Sequence, residues 1–221
     1  MNVRGLKSSE SKRKAICHSF VNSDFLCLLD THLDEESEGN LKKLWKGECK
    51  FSHNPTSSKT GGIAFLSKPG HSISEVKKDK LGRFLFLRLN SDSKNFIIAC
   101  VYAPADKSTK RAEFFDLIHR ELRSCVLDND RVILLGDFNC VEFSLDRSKP
   151  LTPDSSVQKL IELRDTFSLV DLWREANPTK VDFTFFPDNP DHSMSRLDRV
   201  YVPSELKLLQ HKTWVQCFFR S

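Results

Sequence analysis

The chain has 221 residues, 39% hydrophobic and 29% charged, with 17 phenylalanines, enough for one domain with a sizeable core. Its formal net charge of +4 is mildly basic, which permits a polyanionic partner such as DNA or RNA without demanding one. Cysteines at 17, 27, 49, 100, 125, 140 and 217 form no C-x-x-C pair, and no stretch approaches the roughly 20 apolar residues of a membrane span, so a zinc site, a disulfide framework, a signal peptide and a membrane protein are all excluded as expectations.

In chain order, Ser9 to Val21 carries helix formers with Ala15, Ile16 and Phe20 on one side, and Phe25 to Leu29 is a short buried-strand run. Gly61 to Leu66, Phe84 to Leu89 and Phe96 to Tyr102 read as further strands, the last apolar enough to be central. Phe115, Ile118, Leu122 and Cys125 recur at amphipathic helical spacing. Val132 to Leu135 is a strand, and Asp154 or Ser155 caps a helix carrying Val157, Leu160, Ile161 and Phe167. Phe183 to Phe186, Leu197 to Val202 and Trp214 to Phe219 supply late strands. Strands in runs with helices between them predict a layered α/β (α+β) domain covering residues 1–221.

Polar residues gather where the apolar runs end: Asp30 and His32 after FLCLL, Tyr102 after FIIACV, Asp137 and Asn139 after VILLG, and Asp198 within SRLDRVYV. Strand ends are where layered α/β enzymes place their chemistry, because strands fix the geometry and loops supply the groups. Each residue alone has a plainer explanation. Asp-x-Asn after a strand makes a turn, Asp198 pairs with Arg196 or Arg199, and His32 caps a strand or sits on the surface. Their joint, ordered occurrence favours chemistry.

The ordered set Asn2-Val3-Arg4-Gly5-Leu6, Leu29-Asp30-Thr31-His32-Leu33, Gly61-Gly62-Ile63-Ala64, Val101-Tyr102-Ala103-Pro104, Gly136-Asp137-Phe138-Asn139, Leu145-Asp146-Arg147-Ser148, Phe183-Thr184-Phe185-Phe186 and Ser195-Arg196-Leu197-Asp198 resembles the endonuclease/exonuclease/phosphatase superfamily. Within it, Leu145 to Ser148 and Phe183 to Phe186 look most like the endonuclease domain of LINE-type, non-long-terminal-repeat retrotransposons. The resemblance implies a DNase I-like four-layer sandwich of two mostly antiparallel sheets between helices. It also implies Mg²⁺-dependent hydrolysis of a DNA phosphodiester, with Mn²⁺ as an alternative cation, leaving a 3'-hydroxyl from which a downstream reverse transcriptase primes. Such a protein works inside the cell, in the nucleus.

The same resemblance assigns roles. Asn2 and Asp30 match the metal ligands, supplying the oxygens a hard cation takes at about 2.1 Å. Asp137 orients or deprotonates the attacking water and Asn139 holds a phosphate oxygen. Tyr102 donates to the scissile phosphate, and Asp198 matches a carboxylate that orients a histidine. Arg147, Thr184 and Ser195 match positions lining the DNA groove; Cys140 and Glu142 receive no role. The chain departs from the pattern in three ways. Asp30 stands where Glu is usual, one methylene shorter, which predicts weaker metal binding. The end, Phe218-Phe219-Arg220-Ser221, lacks the Ser-Asp-His strand, and the family has several residues before Asn2, so both edges are expected to be clipped. The alternative is therefore a catalytically inactive remnant that at most binds nucleic acid.

Overall fold

The computed structural model describes residues 1–57, 59–90, 94–189 and 191–209. Its helices are α1 (Glu10–Ser19), α2 (Glu35–Leu44), α3 (Ser108–Cys125), α4 (Ser156–Thr166) and α5 (Leu172–Ala176). Its strands are β1 (Phe25–Leu29), β2 (Glu48–Ser52), β3 (Ile63–Ser67), β4 (Ser72–Lys78), β5 (Phe84–Asn90), β6 (Asn95–Tyr102), β7 (Asp130–Asp137), β8 (Leu169–Asp171) and β9 (Asp198–Pro203). They form one three-stranded and one six-stranded sheet with helices, the expected α/β architecture. No helix among the described residues is long and apolar enough to cross a membrane.

The chain divides into two compact units, residues 1–102 with 127–131, and residues 103–126 with 132–221. In the first, β1, β3 and β2 pair antiparallel, and so do β4, β5 and β6. All five residues of β3 are buried. Alternation explains why: Ala64 and Leu66 point to one face, Ile63 and Phe65 to the other, and both faces are covered. Ala64 and Leu66 join Leu26 and Leu28 of β1, Ile16 and Cys17 of α1, and Leu41 of α2 in one apolar cluster. The opposite face packs toward β4, β5 and β6. β6 buries Ile97 through Val101, as its apolar run predicts.

In the second unit β7 and β8 both pair antiparallel with β9. Helices α3 and α4 pack on each other. Arg111 of α3 ties them together, donating from Nε to Ser156 Oγ at 2.9 Å and from Nη2 to Asp154 Oδ2 at 2.6 Å. Asp154 also accepts the Ser156 N–H at 3.0 Å and so caps α4 as expected, although the residue next to the helix is Ser155. Phe167 falls just past the end of α4.

One predicted strand does not form. Of Phe183 to Phe186, only Phe185 bridges, to Ser195. Pro187 follows directly and breaks the run, and the N–H groups of Thr184 and Phe185 both go to Ser195 O, at 3.0 and 2.8 Å, rather than to successive residues of a partner strand. The expected strand at Trp214 to Phe219 and the terminal Ser221 lie outside the described residues.

Candidate active site

The site residues of the first unit sit on the exit of β1. The segment before α1 runs beside β1, with Val3 N donating to Leu29 O at 2.8 Å and Leu29 N to Met1 O at 2.9 Å, a parallel bridge that sets Asn2 opposite Leu29. Asn2 Oδ1 accepts the Arg4 N–H at 3.1 Å. Past Leu29 the chain turns sharply: Asp30 has φ 56° and His32 φ 55°, left-handed values that cost a residue with a side chain roughly 1–3 kcal/mol. Glycines hold the turn. Thr31 N donates to Gly62 O and His32 N to Gly61 O, both at 3.1 Å. At Gly62 (φ +94°) an added Cβ would stand 2.6 Å from Thr31 Oγ1, so backbone and hydroxyl meet only because that atom is missing.

Asp30 is buried. Its Oδ1 accepts the Gly61 N–H at 2.8 Å and lies 3.0 Å from His32 Nε2, an ion-pair distance once the imidazole is protonated, though not hydrogen-bond alignment. Asn2 and Asp30 thus bring an amide and a carboxylate oxygen onto neighbouring segments, a donor set suited to a hard cation that keeps most of its waters. No group of three or more His, Cys, Asp or Glu that could hold a metal ion occurs among the described residues. His32 is the neighbour that strand-end logic noticed without a role; here it stands beside the Asp30 carboxylate. Tyr102 ends β6, its N–H on Arg83 O at 2.8 Å and its ring under the Arg83 guanidinium, 4.6 Å from the ring centroid to Cζ.

In the second unit Asp137 ends β7 and Asp198 begins β9, directly opposite each other in the register. Opposed like charges destabilise a sheet, so this placement asks for a compensating reason. Asp137 is buried and its Oδ1 accepts the Asn139 N–H at 3.0 Å, closing the turn. Asn139, at φ 48°, donates from Nδ2 to Ala103 O at 2.8 Å, while Ala103 N donates to Asp137 O at 2.8 Å. Asp198 is half-buried, and its Oδ1 is buried without a hydrogen-bond partner among the described residues.

Thr184 governs the start of β9. Its Oγ1 accepts the N–H groups of both Leu197 and Asp198 at 2.9 Å. Ser195 is buried, and its backbone bridges Phe185 and Arg147. Arg147 is half-buried, with Nε lacking a hydrogen-bond partner among the described residues. Beneath these residues lies a network that sequence spacing did not reveal. Arg196, fully buried, donates Nε and Nη2 to Asp146 Oδ1 and Oδ2 at 2.8 Å each, and Nη2 to Asp171 Oδ2 at 2.6 Å. Arg174 bonds Asp146 as well, and Arg174 and Arg196 both stack on Trp173. Burial alone would raise the Asp146 pKa, but Arg196 and Arg174 outweigh it and hold the carboxyl below its usual range. The two motifs Leu145 to Ser148 and Ser195 to Asp198 are therefore clamped together through Asp146 and Arg196.

A second clamp explains Cys140 and Glu142. Arg199, fully buried, donates to Cys140 O and, at 3.2 Å, to Arg196 O. Glu142 accepts from Arg164 at 3.1 Å and from the Tyr201 hydroxyl. Desolvation pushes the Tyr201 phenol far above its usual value, so it stays a donor to Glu142. Neither Arg196 nor Arg199 serves as the partner of Asp198.

The chain matches the family described as Endonuclease/Exonuclease/phosphatase family over residues 1–217, and it belongs to that family. It is 34% identical over 183 residues to the transposon TX1 uncharacterized 149 kDa protein of Xenopus laevis, covering 81% of this chain but 14% of that protein. In fold it is similar to the Xenopus laevis APE2 catalytic domain, with a TM-score of 0.72 at 18% identity over 92% of this chain and 82% of that one. The endonuclease domain of TRAS1, a telomere-specific non-LTR retrotransposon, matches with a TM-score of 0.64 at 11% identity over 93% of this chain and 84% of that one. The family resemblance carried by the motifs accordingly holds, and a transposon protein and a retrotransposon endonuclease domain are both among the proteins this chain is similar to.

Proposed function

We propose that residues 1–221 form one endonuclease domain of a LINE-type retrotransposon that hydrolyses a DNA phosphodiester and leaves a 3'-hydroxyl. The observation that carries this reading is the opposition of Asp137 and Asp198 at the ends of β7 and β9, followed by the left-handed Asn139. A structural turn gains nothing from two facing carboxylates and a strained asparagine; a site that orients water and phosphate does.

Asn2 and Asp30 are the residues that would hold Mg²⁺ (or Mn²⁺), which supplies charge neutralisation at the phosphate and at the leaving oxygen. Asp137 takes or orients the proton of the attacking water. Asn139 keeps one amide hydrogen on Ala103 O and offers the other to a phosphate oxygen. Tyr102 donates its hydroxyl to the scissile phosphate. Asp198 orients a histidine, its buried Oδ1 being the oxygen without a partner among the described residues. Thr184 fixes Asp198 through the two N–H groups it accepts, while Arg147 and Ser195 shape the groove that meets DNA. Within a longer protein the 3'-hydroxyl serves a downstream reverse transcriptase, in the nucleus; support for that setting is the likeness to a transposon protein.

The test is substrate choice with Mg²⁺ and with EDTA. Supercoiled DNA should be nicked only with the cation, while a single-stranded RNA and p-nitrophenyl phosphate remain intact. Turnover of the small ester without nicking would replace the nuclease reading by a phosphatase one. DNA binding without any cleavage would replace it by an inactive remnant.

A further inference from the structure

Arg83 is a half-buried cation without a counter-charge among the described residues. Its Nη1 is buried with no hydrogen-bond partner among the described residues, and its guanidinium makes no ion pair there. The other half-buried or buried arginines that carry side-chain bonds are matched to carboxylates or carbonyls, as Arg88 is to Asp130, Arg111 to Asp154 and Arg164 to Glu142. Asp79, in the turn leading to Arg83, does not serve it. Both Asp79 oxygens take backbone N–H groups, those of Arg83 (2.6 Å), Phe84 (3.1 Å) and Leu81 (3.1 Å). The turn instead fixes where Arg83 stands. Burying an unpaired guanidinium N–H is unfavourable unless something else satisfies it.

The surroundings say what that is. The guanidinium lies on the face of Tyr102, and Arg83 O accepts the Tyr102 N–H. Gly82 O, one residue earlier, accepts the Gly62 N–H at 3.0 Å, and Gly62 O in turn holds Thr31, beside Asp30. Gly82 has φ +65°, and an added Cβ would stand 2.5 Å from Gly62 N, so the turn is pressed against the Gly61-Gly62 segment. Arg83 is thus tied by backbone to both Tyr102 and the exit of β1.

We propose that Arg83 is a phosphate ligand, its guanidinium seated on the Tyr102 ring and donating from Nη1 to a non-bridging oxygen of a nucleic-acid phosphodiester. This rests on the nuclease reading for the polymer, but the chemistry recognised is the phosphodiester alone. An arginine suits the position because its planar fork stacks on the ring and still presents N–H groups at the edge, which a lysine does not.

Two measurements on the full chain test it. In the first, dimethyl phosphate is titrated while the side-chain guanidinium resonances of Arg83 are followed by NMR, assigned with Arg83→Lys. Saturable shifts are expected, and no response overturns the proposal. In the second, binding of a duplex oligonucleotide is measured against KCl concentration in EDTA for the wild type and for Arg83→Gln. Loss of one phosphate contact lowers the slope of log K on log salt by about 0.9 and weakens binding about tenfold at fixed salt. Arg83→Lys should restore the slope but not the affinity. An unchanged slope in a folded Arg83→Gln protein refutes the proposal while leaving nicking by the wild type unaffected. Conversely, a chain that neither binds nor cuts DNA but whose Arg83 responds to dimethyl phosphate loses the nuclease reading and keeps the site.

Discussion

Arg196→Met removes the cation that joins the two motifs of the second unit. Methionine fills a similar volume, so the main loss is electrostatic rather than a cavity. The wild-type guanidinium makes two 2.8 Å bonds to Asp146 and a 2.6 Å bond to Asp171, all in buried surroundings. Without it Asp171 loses its ionic partner and Asp146 keeps only Arg174. Breaking a buried pair in this way costs about 3–5 kcal/mol. For a chain of this length each kcal/mol is worth roughly 2–4 °C, so Tm should fall by about 6–20 °C. Circular dichroism melts and urea titration measure it. The pH dependence separates charge from packing. In the wild type Asp146 titrates below its ordinary value of 3.8, because Arg196 and Arg174 outweigh the effect of burial. Its stabilisation is therefore complete above that value and is lost as pH falls through the lowered one. In the variant Asp146 loses the largest of the partners that oppose burial, so its carboxyl pKa rises and protonation relieves the mutant first. The deficit should narrow as pH drops from 7 toward 4, and Asp171→Asn should recover part of it. A loss under about 1 kcal/mol, or a deficit independent of pH, refutes the electrostatic clamp.

Thr184→Val leaves two backbone N–H groups without their acceptor and should cost about 2 kcal/mol in urea titration, while Thr184→Ser stays near wild type; equal stability of both would confine Thr184 to DNA contact. Gly62→Ala drives a Cβ toward Thr31 Oγ1 at a left-handed φ and should destabilise by about 1–3 kcal/mol, measured by thermal melting. Asn139→Gly relieves a strained φ but deletes the amide on Ala103 O, so stability should hold within about 1 kcal/mol while nicking falls at least tenfold.

What the sequence revealed follows from range. Apolar runs such as FLCLL and FIIACV announce strands because both faces are covered, and they formed where expected. Helix α2 escaped notice because EESEGNLKKL buries only Ser37 and Leu41, too few positions for a periodic signal. Strand β4 escaped for a similar reason, with Ile73 its single buried residue. Phe183 to Phe186 had strand composition, yet tertiary bonding from Thr184 overrode it. Among polar residues, turn chemistry within a few positions was readable, as at Asp137 and Asn139. The arginine clamps were not, since Arg196 meets Asp146 across 50 residues and Asp171 across 25. Charge pairing at that separation leaves no local pattern. Glu142 and Cys140 had no legible role for the same reason, their partners being Arg164, Arg199 and Tyr201.

The most direct test of catalysis is nicking of supercoiled plasmid with Mg²⁺, followed by DNA polymerase and a labelled nucleotide without prior end repair. Wild-type protein should yield open circles that take up label at once, the mark of a 3'-hydroxyl, while a folded Asp137→Asn protein yields neither. Intact plasmid with both Mg²⁺ and Mn²⁺, or equal nicking by Asp137→Asn, would contradict an endonuclease built on Asp137.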